Sequence, residues 1–371
     1  MKSLAAPLLC LFLLCAFPLG LSAETGQSAE AIQPKPGRAA LVVAVLAQNT
    51  GTEITDFLVP YALLSQAPGT KVFAVSGEPG PISFWPALKA EPDMDLAKFD
   101  KAWPDGADLI VVPAVHDPAD KRLTAWLRQQ AAKGAFIASI CDGSLLLAES
   151  GVLDGHEATG HFYTEDNRRT DYPHVTWLAN RRYVEDGRFL TSSGVSASLP
   201  ASLRLVERIA GRGQAQRLAA RYGIASYGPG HDSDSFNVGF GEIRTALTNF
   251  LFGWPRSTYA VLGKDGMDEV DLAFAVDMGA RSWESSSALA GAAASYRSAH
   301  SLRFYPDMSM EDAQDALTLA LPGDTRKADI TLTDSTSLRT DMLKVLEKEH
   351  GAATAGFIAT QIEYPLENKT P

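Results

Sequence analysis

Cys141 closes one apolar run and opens another: Ala135-Phe-Ile-Ala-Ser139-Ile-Cys141-Asp142-Gly143-Ser-Leu-Leu-Leu-Ala-Glu149. The pattern is strand, sharp turn, helix, with small Ser139 two residues before the cysteine and Gly143 two after it. That is the arrangement of a nucleophile elbow, with sulfur in place of a serine hydroxyl. In such a turn the side chain is thrust upward. The following helix points its first N–H groups and the positive end of its dipole at the sulfur, favouring thiolate over a thiol whose ordinary pKa is about 8.5. The neighbouring carboxylate of Asp142 acts in the opposite sense, so the sequence leaves the sum unsigned. The competing reading makes Cys141 one more small buried hydrophobe, a common place for a free cysteine.

The rest of the chain sets the setting for that sulfur. Residues 1–23 read as a secretory signal: Lys2, an apolar stretch from Leu8 to Leu14, then small residues at Ser22-Ala23. The stretch is short for a membrane span, so the expectation is cleavage and an exported, periplasmic or secreted protein with no stable membrane anchor. Cleavage removes Cys10 and Cys15 and leaves Cys141 alone of the 3 cysteines. A lone thiol in an oxidising compartment is either hidden or used. The net charge of −11 argues against a nucleic-acid surface, which needs a basic patch. With no zinc-type Cys/His spacing, no GxGxxG and no P-loop run, neither a metal nor a cofactor is expected.

Along the chain, residues 24–38 read as a flexible leader. An α/β domain follows over 39–225, a linker with a helix over 226–256, and a second unit over 257–371. Strands are expected at Ala40 to Leu46, Lys71 to Ser76, Asp108 to Pro113 and up to Cys141. Helices are expected at Asp56 to Gln66, Lys121 to Lys133, Ser144 to Ser150, Ser198 to Ala210 and Gly241 to Phe252, with further strands at Val175 to Leu178 and Arg188 to Ser192. Continuous apolar strands alternating with helices imply a mainly parallel sheet covered on both faces.

The second unit reads as a partial repeat of the first. Ala44-Val45-Leu46 recurs as Ala260-Val261-Leu262, and Gly51-Thr-Glu-Ile-Thr-Asp56 as Gly266-Met-Asp-Glu-Val-Asp271. Ser83-Phe84-Trp85-Pro86 recurs as Arg303-Phe304-Tyr305-Pro306, and Ala107 to Ile110 as Lys327 to Ile330. Phe136 to Ser139 recurs as Phe357 to Thr360. Continuing the last match sets Ile362 opposite Cys141, so the second copy is expected to lack the nucleophile and everything after it.

Three short motifs in order, Cys141-Asp142-Gly143, Gly151-Val152-Leu153-Asp154-Gly155 and Ala158-Thr159-Gly160-His161, resemble the signature of the DJ-1/PfpI superfamily. Members similar to isonitrile hydratase and the sensory halves of AraC-type regulators are nearest in flavour. The resemblance implies a flavodoxin-like sandwich related to class I glutamine amidotransferases. It implies Cys141 as nucleophile, His161 as base or thiolate partner, and Asp56 as the acid beside the cysteine, with Glu53 a lesser candidate. The alternatives are a strand-end histidine bonded to backbone, and an aspartate that only complements its helix dipole. Where the family often has paired glycines this chain has Ala114-Val115-His116, and Asp142 stands where the family often has Thr, Ala, Ser or His after the cysteine. His116, His174 and His231 read as solvated loop histidines.

The mechanism implied is covalent: Cys141 attacks an electrophilic carbon of a small carbonyl or amide compound, the Asp142 and Ala114 backbone N–H groups steady the oxyanion, and His161 handles the proton. A redox sensor and an idle binding module are the competing readings. Relatives of this kind pair two copies, so the second unit is expected to occupy the partner's place and make the chain a pseudo-dimer.

Overall fold

The computed structural model describes residues 30–230, 249 and 257–364. The signal segment 1–23 and His231 lie outside the described residues, as does the helix expected over 241–252 apart from Asn249. From Ala31 on, the chain forms one compact unit.

The fold is flavodoxin-like α/β with a mainly parallel sheet. Its seven strands are β1 (Leu41–Ala47), β2 (Thr70–Ser76), β3 (Met94–Asp95), β4 (Leu109–Val112), β5 (Phe136–Ser139), β6 (Tyr183–Asp186) and β7 (Phe189–Ser192). They lie in the order β6-β7-β5-β4-β1-β2-β3, and only β6 runs antiparallel to its neighbour. In β1 the side chains of Leu41, Val43 and Val45 enter one core and those of Val42, Ala44 and Leu46 another. Period-two alternation in a strand apolar on both faces produces that division, which is why the run carries no polar residue. Helices α1 (Ile54–Ser65), α2 (Lys121–Ala132), α3 (Gly143–Glu149) and α4 (Ser198–Ala210) connect or cover the strands; α4 leads into α5 (Arg212–Arg221).

A second parallel sheet follows, built from β8 (Ser257–Leu262), β9 (Ser285–Ala290), β10 (Leu317–Ala320) and β11 (Ile330–Thr331) in the order β9-β8-β10-β11. Its order matches β2-β1-β4-β5 of the first sheet. Helix α6 (Glu269–Ala280) follows β8 as α1 follows β1. Both helices are buried almost all round, because each lies on its own sheet and packs against the other. A five-stranded sheet also joins the halves: Arg303–Tyr305 pairs antiparallel with Lys89–Glu91, setting Phe304 opposite Ala90.

Three corrections concern the second half. Phe357 to Thr360, expected as a strand, lie in helix α8 (Ala352–Gln361), which follows α7 (Leu338–His350). Helices α7 and α8 reproduce α4 and α5 in length, and the glycines between them, Gly211 and Gly351, share nearly one conformation (φ 83, ψ 163 and φ 85, ψ 161). The second half therefore keeps the closing helix pair and lacks the middle, from the elbow helix to β7. Nor does Ile362 stand opposite Cys141. Val45 pairs with Val111 and Val111 with Ala138, as Val261 pairs with Leu319 and Leu319 with Ile330. Ile140 N–H donates to Val112 as Leu332 N–H donates to Ala320. Counting on from there, Thr333 holds the place of Cys141. The same register makes β10, not Lys327 to Ile330, the counterpart of β4.

The leader is also corrected from Ile32 onward. Ile32 is buried and its N–H donates to Arg208 O at 3.1 Å. Lys35 N–H donates to Asp108 Oδ1 at 2.8 Å, and Arg38 Nη1 pairs with the same oxygen at 2.8 Å.

Candidate active site

The chain turns sharply between β5 and α3, and Cys141 takes φ +56 there, a left-handed conformation that costs a non-glycine residue roughly 1–2 kcal/mol. Gly143 makes the turn possible: a Cβ at that position would sit 2.1 Å from Val112 O. The Asp142 N–H donates to the sulfur, and Cys141 N–H reaches Ser192 Oγ at 3.4 Å. Cys141 is 6% exposed and lines a cavity of about 210 Å³ with Glu53, Trp85, Ala114, Val115, His116, Asp142, His161, Tyr163, Val195 and Arg281.

Three acids surround the sulfur. Glu53 caps α1: its Oε2 accepts from Asp56 N–H and Thr55 Oγ1, both at 2.7 Å. Its Oε1 accepts from Arg281 Nη2 at 3.0 Å. Burial, reinforced by Asp277, pushes its pKa up to about 7, against the pull of Arg281 and the two capping hydrogen bonds. Asp56 is wholly buried. Its Oδ2 accepts from Ala114 N–H at 3.2 Å, and its Oδ1 has no hydrogen-bond partner among the described residues. Burial first and Glu53 second hold Asp56 well above the usual carboxylate range. Asp142 accepts from Thr164 Oγ1 at 2.6 Å and lies 3.7 Å from Arg168 Nη1. The thiol is itself pushed up, by burial first and then by Asp56, Asp142 and Glu53, while the Asp142 N–H pulls the other way. The sum that the sequence left unsigned is therefore upward, with burial the largest cause and the carboxylates adding to it.

The structure brings Cys141, His161, Glu53 and Asp142 together on one cavity and sets Asp56 behind them. Two expectations change. The Ala114 N–H, assigned to the oxyanion, is engaged by Asp56 Oδ2. His116, read as solvated surface, lines the cavity mouth while remaining exposed. His174 is exposed. His161 Nδ1 accepts the Tyr163 N–H at 3.2 Å, so the neutral ring carries its proton on Nε2. In that state it donates to a thiolate or oxyanion and takes no proton through Nε2.

Two arginines near the sulfur escaped the sequence reading. Arg168, 3% exposed, donates through Nη1 to His161 O and Thr164 Oγ1 and lies 5.1 Å over the Trp177 ring. Arg281, 8% exposed, comes from the C-terminal end of α6. Its Nε donates to both oxygens of Asp277 at 2.8 Å, and its guanidinium lies 5.2 Å over Trp85.

Comparison with known proteins places this geometry. A model described as the DJ-1/PfpI family matches residues 42–208. Deglycase PH1704 of Pyrococcus horikoshii is 30% identical over 156 residues, which cover 41% of this chain and 89% of that protein. The chain belongs to the DJ-1/PfpI family. Within the family, isonitrile hydratase of Pseudomonas putida is 28% identical over 166 residues, 43% of this chain and 69% of the relative. The HTH-type transcriptional regulator CdhR of Pseudomonas aeruginosa is 28% identical over 167 residues, 44% of this chain and 48% of the regulator; the chain thus spans about half that relative's length.

Proposed function

We propose that this DJ-1/PfpI protein is a cysteine-dependent hydrolase or lyase acting on a small carbonyl or amide compound. One observation carries the reading: a cysteine in a strained left-handed turn opens onto a cavity of about 210 Å³ beside an acid of pKa about 7. A carboxyl that titrates near neutrality both gives and takes protons efficiently. The deglycase and isonitrile hydratase among its relatives support chemistry on small, electrophilic carbon.

For an amide the roles are as follows. The Cys141 thiolate forms a bond to the carbonyl carbon and the C=O pair moves onto oxygen, where the Asp142 N–H and His161 Nε2–H meet it. Collapse breaks the C–N bond, and the amine leaves with the proton of Glu53. Water then attacks the thioester, returns a proton to Glu53 and regenerates the thiolate. Burial and the charge of Glu53 favour the protonated form of Asp56. Held neutral, it no longer repels the sulfur, and its unpartnered Oδ1 supplies a donor instead of a charge. In this scheme Glu53, which lines the cavity, takes the acid–base part, and Asp56 orders the sulfur from behind.

The test is a panel of a 2-oxoaldehyde, a primary amide and an isonitrile, assayed with wild type and Cys141→Ala. Turnover of a member by wild type, absent in the variant, is expected; equal rates in both would refute the assignment. The match to the CdhR regulator favours one other reading, a small-molecule sensor, which a compound that raises the melting temperature without being consumed would identify. We propose further that the chain is exported after losing residues 1–23, and that its second half takes the place of a partner copy. Intact mass of the protein from cells tests the first. Light scattering tests the second, a stable homodimer through the α1 face being the contrary result.

A further inference from the structure

We infer that the second half of the chain completes the Cys141 site by supplying Arg281 as the positioning cation for the thiolate and for Glu53. The inference rests on the reading of Cys141 as a nucleophile, and its test separates the two. Among the described residues Arg281 is the only arginine or lysine lining the cavity, whose other charged or titratable groups are Glu53, Asp142, Cys141, His116, His161 and Tyr163. It crosses from α6 to the cap of α1, some 228 positions away in sequence.

The arginine is fixed from several sides. Asp277 holds Nε, Glu53 holds Nη2, the Trp85 ring lies under the guanidinium, and Arg281 O accepts from Gln361 Nε2 at 3.0 Å. A planar fork held this way spends little rotamer freedom when charge appears nearby. Its electrostatics reach the sulfur: a Cys141 thiolate strengthens the hold of Arg281 on its proton, as Asp277 and Glu53 do. By reciprocity the guanidinium favours the thiolate. The groups facing the sulfur are then Asp56 from α1 and Glu53 from its cap, His116 from the loop after β4, Asp142 from the elbow, Arg168, His161 and Tyr163 beyond it, and Arg281 from the second half.

The equivalent position on the other side shows what is specific here. Gln66 ends α1 as Arg281 ends α6, and Asp268 caps α6 as Glu53 caps α1. Gln66 donates to Tyr222 Oη, and Asp268 is paired at 2.8 Å by Arg221, which is 51% exposed. Both cap acids thus have an arginine, so pairing a cap acid does not by itself need Arg281. The buried, cavity-lining arginine occurs on the side with cysteine, whereas Thr333 stands on the other.

The experiment measures the pH dependence of Cys141 alkylation by iodoacetamide, a neutral probe, in the full chain and in its Arg281→Gln and Arg281→Lys variants. For Arg281→Gln we expect the midpoint to rise by about one unit, a roughly tenfold slower reaction at neutral pH. Arg281→Lys keeps the charge without the fork, and an intermediate midpoint is expected. An unchanged midpoint in folded Arg281→Gln overturns the inference, whereas a wild-type midpoint in Arg281→Lys beside a shifted Arg281→Gln assigns the effect to the charge; if Arg281→Gln does not fold, Arg281→Met takes its place. No substrate is needed. A shifted midpoint with no turnover from the substrate panel would sink the enzymatic reading alone, and turnover with an unshifted midpoint would sink the role of Arg281 alone.

Discussion

Asp271 offers a test of the electrostatic reasoning away from the cavity, where activity does not confuse the result. It sits in the first turn of α6 as Asp56 sits in that of α1, is 3% exposed, and its Oδ2 accepts from Ser335 Oγ at 2.7 Å. Burial, then the charge of Asp268, pushes its pKa up to about 7, with Ser335, Arg221 and Arg339 opposing. An unfolded aspartate titrates near ~3.9, so the gap of roughly three units corresponds to about 4 kcal/mol. The sign follows from proton counts. Between about pH 4 and 7 the folded protein binds the proton and the unfolded chain does not, so stability falls as pH rises through that window. Asp271→Asn keeps the acceptor for Ser335 and removes the titration. Urea unfolding should show the variant equal to wild type near pH 4 and more stable by up to about 4 kcal/mol at pH 8. A variant no more stable than wild type at pH 8, or one with the same pH slope, would refute the argument and with it the account of Asp56 as a proton-holding acid.

Other perturbations probe the elbow and its surroundings. Gly143→Ala forces a Cβ against Val112 O and should cost at least about 2 kcal/mol by urea unfolding, with Cys141 alkylation disturbed; an unaltered melting curve would mean the turn relaxes freely. Asp142→Asn removes a carboxylate that raises the thiol, so the alkylation midpoint should move to lower pH, and an upward movement would contradict that cause. Arg38→Ala leaves the buried Asp108 carboxylate short of its cation and should destabilise by about 3 kcal/mol; a loss within measurement error would show the docked leader to be dispensable.

Much of the first domain was legible because its strands are buried on both faces and so spell unbroken apolar runs: Ala40 to Leu46 was expected and β1 is Leu41–Ala47. Helix Ser198 to Ala210 emerged with the expected bounds. The short run Phe357 to Thr360 misled, because three apolar residues and a threonine fit a strand or a buried helix equally, and only the ten-residue length of α8 decides. Ile32 gave a single apolar signal in a polar segment, too little to reveal docking. In the site, Cys141 and its glycine were visible because an elbow is local. Arg281 was not, since its partner Glu53 is distant in sequence and the crossing depends on how α1 and α6 pack. The loss of the Ala114 N–H to Asp56 was equally hidden, being a matter of which acceptor faces one amide. Glu53 stood second to Asp56 in the sequence reading; that it caps α1 and lies on the cavity wall needs the fold.

Catalysis at Cys141 requires that a small molecule reach a reactive sulfur in the folded protein. Native protein treated briefly with iodoacetamide at pH 8, quenched and analysed by intact and peptide mass, measures this most directly. We predict a rapid adduct on Cys141 under native conditions, absent in Cys141→Ala. Modification of Cys141 only after unfolding in urea would mark it as a sealed core residue and contradict the catalytic reading.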